Sequence, residues 1–215
     1  MSKPIRLLFF HDVLCGMCCV AAERLDRVEA EFGGLLVVEP RPYPLRREAA
    51  APCGRDLRRQ VRLVQRAIRE PEGAGLSPAL WSGIDPPQSS LPPLLAAEAA
   101  LLQGSGAQRA LLARLRTAAL RDGVNVARRD VLLELAAASG LEMERFCTAF
   151  DAPATLHAVE RGRHEALRHG VRAVPAIVIG DEWLLSGVRE LHEYREVLLH
   201  WLERRGGGQS ARVLN

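Results

Sequence analysis

The apolar periodicity of this 215-residue chain predicts an α/β architecture with a βαβ opening, a long all-helical interior and a ββα ending. Three observations carry it. The first 38 residues pass from strand to helix to strand period, no convincing strand appears between Arg55 and Arg168, and apolar β-formers return together at Ala176 to Ile179. At 48% hydrophobic residues the chain folds rather than stays disordered, and at this length it buries roughly 70% of its unfolded surface without a disulfide framework.

Each element has a local reason. Ile5 to Phe10 is short, apolar and aromatic toward its end, which suits a buried strand. From Met17 to Phe32 the residues Val20, Ala21, Leu25, Val28 and Phe32 recur at helical spacing until Gly33-Gly34 stops them. Leu35 to Val38 reads as a second buried strand, closed by Pro40, Pro42 and Pro44, and strand, helix, strand implies a parallel pair with the helix crossing over. Helical periods follow at about 55–70, 93–103, 107–122, 130–139, 141–150 and 154–169, with Asp130 as an N-cap and Pro153 in a first turn. Residues 71–93 hold too many prolines and glycines for regular structure and read as a long loop. Ala176–Ile179, a two-residue Gly180-Asp181 turn and Trp183–Leu185 form a hairpin, and a helix covers about Glu190 to Glu203. The glycine-rich tail, 206–215, reads as flexible.

Charge and cysteine usage narrow the function. The net charge is only +3, and 29 basic residues, all arginine except Lys3, mix with 26 acidic ones, which argues against a nucleic-acid partner. No apolar run approaches the ~20 residues of a membrane span, and only six mostly apolar residues follow Met1-Ser2-Lys3-Pro4, so the expectation is a cytoplasmic protein without membrane contact. Five cysteines leave at least one thiol without an intramolecular partner, and in that compartment a close pair suggests redox or metal chemistry.

Cys15-Gly16-Met17-Cys18 lies where the first strand ends and the first helix begins. Unpaired amides and the helix dipole favour a thiolate at such a place, so Cys15 is the candidate attacking sulfur. Cys18, one turn deeper, can close a small ring and release a substrate from a mixed disulfide. A buried pair of inert thiols and a metal site are the competing readings; zinc usually takes four ligands, and the chain has no second CxxC. Cys19 points about 100° away from Cys18 and reads as a small buried hydrophobe. Val174-Pro175, directly before the apolar strand at 176, is a candidate cis peptide bond.

A CxxC at the start of the first helix, an inserted helical block, and Gly170-Val171-Arg172-Ala173-Val174-Pro175 before a ββα ending resemble the DsbA-like thioredoxin-fold oxidoreductases, from about Ile5 to Leu199. Asp12-Val13-Leu14-Cys15, Arg41-Pro42-Tyr43-Pro44-Leu45 and Asp122-Gly123-Val124-Asn125-Val126, followed by the helix at Asp130-Val131-Leu132, are similar to the cytoplasmic FrnE-type branch. The resemblance implies a thioredoxin-like domain, 1–53 and 170–205, interrupted by a helical domain, 54–169, that lids the site. It implies redox roles for Cys15 and Cys18, a substrate-facing wall at Val174 and Pro175, thiol or disulfide substrates of protein or glutathione type, and no cofactor or metal. Gly16-Met17 departs from the Pro-Trp or Pro-His often found there and brings no positive charge, so the potential of the pair stays open. So does the oligomeric state. The rivals are a glutathione-dependent isomerase or transferase, resembling 2-hydroxychromene-2-carboxylate isomerases and kappa-class transferases, which typically carry serine at the place of Cys15, and a non-catalytic metal- or partner-binding module. Three further features read as structural: the arginine stripe Arg55, Arg58, Arg59, Arg62, Arg66 and Arg69 as a solvated face ahead of a dock for an acidic partner, His11 as an exposed turn residue, and Trp81 as a loop anchor.

Overall fold

The computed structural model describes residues 4–206. Ile5–His11 forms β1, Gly16–Phe32 forms α1 and Leu36–Pro42 forms β2, with a 3-10 turn at Gly33–Leu35 before the last. β1 and β2 pair in parallel from Ile5↔Leu36 to His11↔Pro42, and α1 is the crossover. Pro40 and Pro42, predicted to end β2, lie inside it. β2 is an edge strand, and the Val38 N–H turns away from β1 to donate to the Glu29 carboxylate at 2.8 Å. Residues 40 and 42 are in step with Val38, so their missing amides take nothing from the ladder.

The insertion is helical, as expected: α2 (Gly54–Ala67), α3 (Ala79–Ser82), α4 (Leu91–Leu101), α5 (Ser105–Leu120), α6 (Arg129–Ala138), α7 (Met143–Asp151) and α8 (Pro153–Arg168). Two local expectations need correction. The 71–93 loop is partly ordered by a 3-10 turn at Pro71–Gly73 and by α3, because Leu80 and Trp81 are buried in the insertion core and pin the segment there. α6 begins one residue before Asp130; Arg128 holds the cap position and binds the exposed Asp130 carboxylate at 2.5 Å, so that carboxylate forms an ion pair rather than capping the helix from the N-cap position.

β3 (Ala176–Ile179) runs antiparallel to β1, and β4 (Trp183–Ser186) antiparallel to β3, giving the order β2-β1-β3-β4. Their connection spans 180–182, one residue more than expected. Gly180 and Asp181 take φ of 56° and 64°, and the Glu182 N–H donates to the Ile179 carbonyl at 3.0 Å. α9 follows at Leu191–Gly206; the rest of the expected flexible tail lies outside the described residues.

The core divides between the two faces of the sheet and the insertion. Leu7, Phe9, Ile177 and Ile179 pack with α1 and with Leu198 and Trp201 of α9. On the opposite face Leu8, Phe10 and Val178 meet Ala166 of α8 and Val171. α8 comes close enough to β2 that a Cβ on Gly162 would stand 2.8 Å from the Pro42 ring. The insertion core, with Trp81, Leu111, Leu115 and Phe146, extends to Val13, Leu14, Cys19 and Val20, so the first turn of α1 is clasped between sheet and insertion. At roughly 1.5–3 kcal/mol for each large apolar side chain removed from water, this packing fixes where that turn points. Among the described residues no helix is long and apolar enough to cross a membrane.

Candidate active site

The turn between β1 and α1 is held by one buried carboxylate. Asp12 is fully buried and accepts the Leu14 N–H at 2.8 Å on one oxygen and the Leu45 N–H at 2.7 Å on the other, with Ser90 as a further hydrogen-bonding partner. Burial raises its pKa, and those hydrogen bonds pull the other way. In the sequence Asp12 stands out only within the Asp12-Val13-Leu14-Cys15 likeness; an aspartate before an apolar pair gives no sign that it would tie the turn to the segment after β2.

Cys15 occupies the N-cap of α1 with φ −94° and ψ 111°, and its Sγ accepts the Cys18 N–H at 3.2 Å. It is half-buried, whereas Cys18 is fully buried. Burial lifts the Cys18 thiol well above the ordinary thiol range, and the adjacent Cys15 sulfur adds to the effect. Cys18 therefore holds its proton at neutral pH. Both cysteines are free thiols. Gly16 admits close packing beside them: a Cβ there would stand 3.0 Å from the Ala67 Cβ of α2 and 3.7 Å from the Val64 Cα.

The Val174–Pro175 peptide bond is cis. Pro175 is buried at the entry to β3, and its carbonyl accepts the Gly187 N–H at 2.9 Å. Val174 and Cys15 both border the apolar cluster that contains Cys18, Leu25 and Ile177. The other thiols are separate. Cys19 is buried on the insertion side of α1, with burial raising its thiol pKa, Cys53 is exposed at the N-cap of α2, and Cys147 is half-buried on α7. Among the described residues no group of three or more His, Cys, Asp or Glu side chains is placed to hold a metal ion.

His11 differs from its expected exposed turn position. It is the last residue of β1, buried, stacked on Phe9 with ring centroids 5.3 Å apart, and its Nδ1 lies 3.4 Å from Arg116 Nη2. Burial and the Arg116 charge push its pKa well below the ordinary range, so the ring is neutral. Arg24, which no motif marks, is also buried: it binds Glu72 at 2.9 Å, Glu70 at 2.8 Å and the Arg189 carbonyl at 2.7 Å, joining α1 to the turn after α2 and to the loop before α9. Its only sequence signal was position, on a helix face otherwise apolar.

The sequence pattern of the DSBA-like thioredoxin domain matches residues 6–199. The chain belongs to that family. Its members are thioredoxin-fold proteins, generally thiol–disulfide oxidoreductases, and the fold here is the DsbA-like one with its helical insertion. The ClpXP adapter protein SpxH of Halalkalibacterium halodurans is 28% identical over 207 residues, covering 91% of this chain and 67% of its own. A candidate protein disulfide isomerase from Nitrosomonas europaea superposes with a TM-score of 0.81 at 19% identity, over 95% of this chain and all of the other. The cytosolic disulfide reductase DsbM of Pseudomonas aeruginosa, solved with GSH, gives 0.71 at 24% identity, over 92% and 99%. A 2-hydroxychromene-2-carboxylate isomerase gives 0.65 at 16% identity, over 93% and 97%. At these identities the structural likeness speaks for the fold alone.

Proposed function

We propose that this protein is a thiol–disulfide oxidoreductase in which Cys15 exchanges with substrate and Cys18 resolves. The observation that carries the reading is the inequality of the two thiols: Cys15 sits half-buried at a helix N-terminus, and Cys18 is fully buried with its proton held. In the reducing direction the Cys15 thiolate attacks one sulfur of a substrate disulfide and the other sulfur departs as a thiolate. Cys18 then attacks the Cys15 sulfur, its proton passing to a departing thiolate. The other substrate thiolate takes a proton from water, so the substrate leaves as a dithiol and the pair becomes a disulfide; oxidation runs the same steps backwards. Val174 and Pro175 form the wall against which the substrate backbone lies, a role supported by the place of Val174 beside the cluster that Cys15 also borders. The same proposal divides the chain into a thioredoxin-like unit, 1–53 and 170–205, and an inserted unit, 54–169. It places the protein in the cytoplasm, a reading supported by its likeness to a cytosolic reductase.

The test is equilibration in glutathione buffers between about −120 and −320 mV, with the Cys15–Cys18 disulfide counted by mass spectrometry. A single reversible two-electron transition is expected. A stable Cys15–glutathione adduct that Cys18 does not resolve would favour the isomerase or transferase reading. No reaction at all would favour protein binding without turnover, which the adapter relative supports.

A further inference from the structure

Several arginines enter no ion pair among the described residues, and six of them share one face of α2 and its end. Arg55, Arg58, Arg59, Arg62 and Arg66 of α2, with Arg69 just past its end, fall at 100° per residue within one arc of about 100°, and all six are exposed. Among the described residues none of the six enters an ion pair or a side-chain hydrogen bond, whereas Arg6, Arg24, Arg41, Arg109, Arg121, Arg129 and Arg195 all pair with carboxylates. Acidic groups near the stripe are engaged elsewhere. Asp56, the one acid on α2, accepts the Cys53 N–H at 3.2 Å, while Glu70 and Glu72 at the far end bind Arg24. Like charges three and four residues apart repel along a helix, and an anionic partner removes that repulsion.

The stripe also has a direction. α2 is about 20 Å long, and its opposite side, at Val64 and Ala67, packs on Gly16, the residue next to Cys15. Leu63, exposed, flanks the arc between Arg59 and Arg66 and offers an apolar contact within the charged field. The whole chain carries only +3, which suits a short acidic strip better than a nucleic-acid backbone. We propose that the arginine face of α2, with Leu63, docks an acidic segment of a protein substrate, from which a few extended residues carry the disulfide or dithiol about 10 Å around the helix to Cys15. This rests on the oxidoreductase reading and adds the substrate class.

Two arms test it on the whole chain. The first measures fluorescence anisotropy of a cysteine-free peptide of alternating Glu and Leu, against its Gln and Lys counterparts and against duplex DNA. The second compares kcat/KM for a peptide disulfide with an acidic flank and for the same disulfide with a neutral flank. The acidic peptide should bind about tenfold tighter than the Gln peptide at low salt, and the advantage should shrink as salt shortens the screening length. Arg59→Gln/Arg62→Gln/Arg66→Gln should abolish the advantage, and Arg59→Glu/Arg62→Glu/Arg66→Glu should reverse it toward the Lys peptide, which an unfolded variant cannot do. Equal binding of acidic and neutral peptides, an advantage that survives the Gln substitutions, or tighter binding to DNA than to the acidic peptide would each overturn the docking face. Turnover of both disulfides with no acidic preference refutes the docking face alone; salt-sensitive acidic binding with no disulfide turnover refutes the redox reading and leaves the face standing.

Discussion

Removing the Asp12 carboxylate should unpin the turn that carries Cys15. Asp12→Ala deprives the buried Leu14 amide and the amide of the exposed Leu45 of charged acceptors at 2.8 and 2.7 Å. Hydrogen bonds to a charged group contribute about 1.5–3 kcal/mol each, so the gross loss is roughly 3–6 kcal/mol. Burying the carboxylate is itself unfavourable, as its raised pKa indicates, and that term vanishes with it. The net destabilisation should be about 2–4 kcal/mol. Asp12→Asn keeps one acceptor oxygen, sets an amide NH2 against the other N–H and relieves the buried charge, so it should lose only about 1 kcal/mol. Urea unfolding of the reduced protein measures both, provided the m-value stays constant. Hydrogen exchange should quicken at the Leu14 and Leu45 amides of the Ala variant. A loss below about 1 kcal/mol for Asp12→Ala, or an Asn variant as damaged as the Ala variant, would refute the reasoning.

Three further substitutions probe the other buried polar side chains. His11 has a folded pKa well below its unfolded value, so below about pH 6.5 the unfolded chain binds a proton that the folded one refuses. Its contribution is present above pH 6.5 and is lost as pH falls, by up to about 1.4 kcal/mol per unit. His11→Leu should flatten that part of the acid arm between pH 7.5 and 5.5, and an unchanged pH slope would contradict a buried neutral ring. Arg24→Met leaves the buried Glu72 with Arg27, at 3.4 Å, as its ion-pair partner among the described residues, and should cost about 2–4 kcal/mol. Adding Glu72→Gln should recover part of that loss, and strict additivity of the two changes would show that the pair is not coupled.

Much of the scaffold was legible because periodicity reports burial relative to near neighbours. β1, the α1 crossover, the Gly-Gly break and the strand at Ala176–Ile179 all follow from it, as does the placing of Cys15 at a helix start. What was misread depends on position within the sheet or on distant partners. Pro40 and Pro42 look like strand terminators until β2 is known to be an edge. His11 continues the apolar alternation of β1, yet its polar ring suggests a turn unless burial against Phe9 and Arg116 is known. Arg24 is 46 and 48 residues from its carboxylates and 165 from the carbonyl it binds, separations over which a sequence carries no local pattern. Asp12 belongs to the same class, since its hydrogen bonds reach 33 residues away to Leu45 and farther still to Ser90.

The division of labour between Cys15 and Cys18 is tested most directly by trapping. A peptide disulfide is mixed with Cys18→Ala and, separately, with Cys15→Ala, and mass spectrometry locates the mixed disulfide that remains. The Cys18→Ala variant keeps the half-buried sulfur at the helix start and loses the group that would release the peptide, so an adduct on Cys15 should accumulate toward full occupancy. The Cys15→Ala variant keeps only a fully buried thiol that holds its proton, and it should trap almost nothing. Equal trapping by the two variants, or an adduct found only on Cys18, would contradict the account.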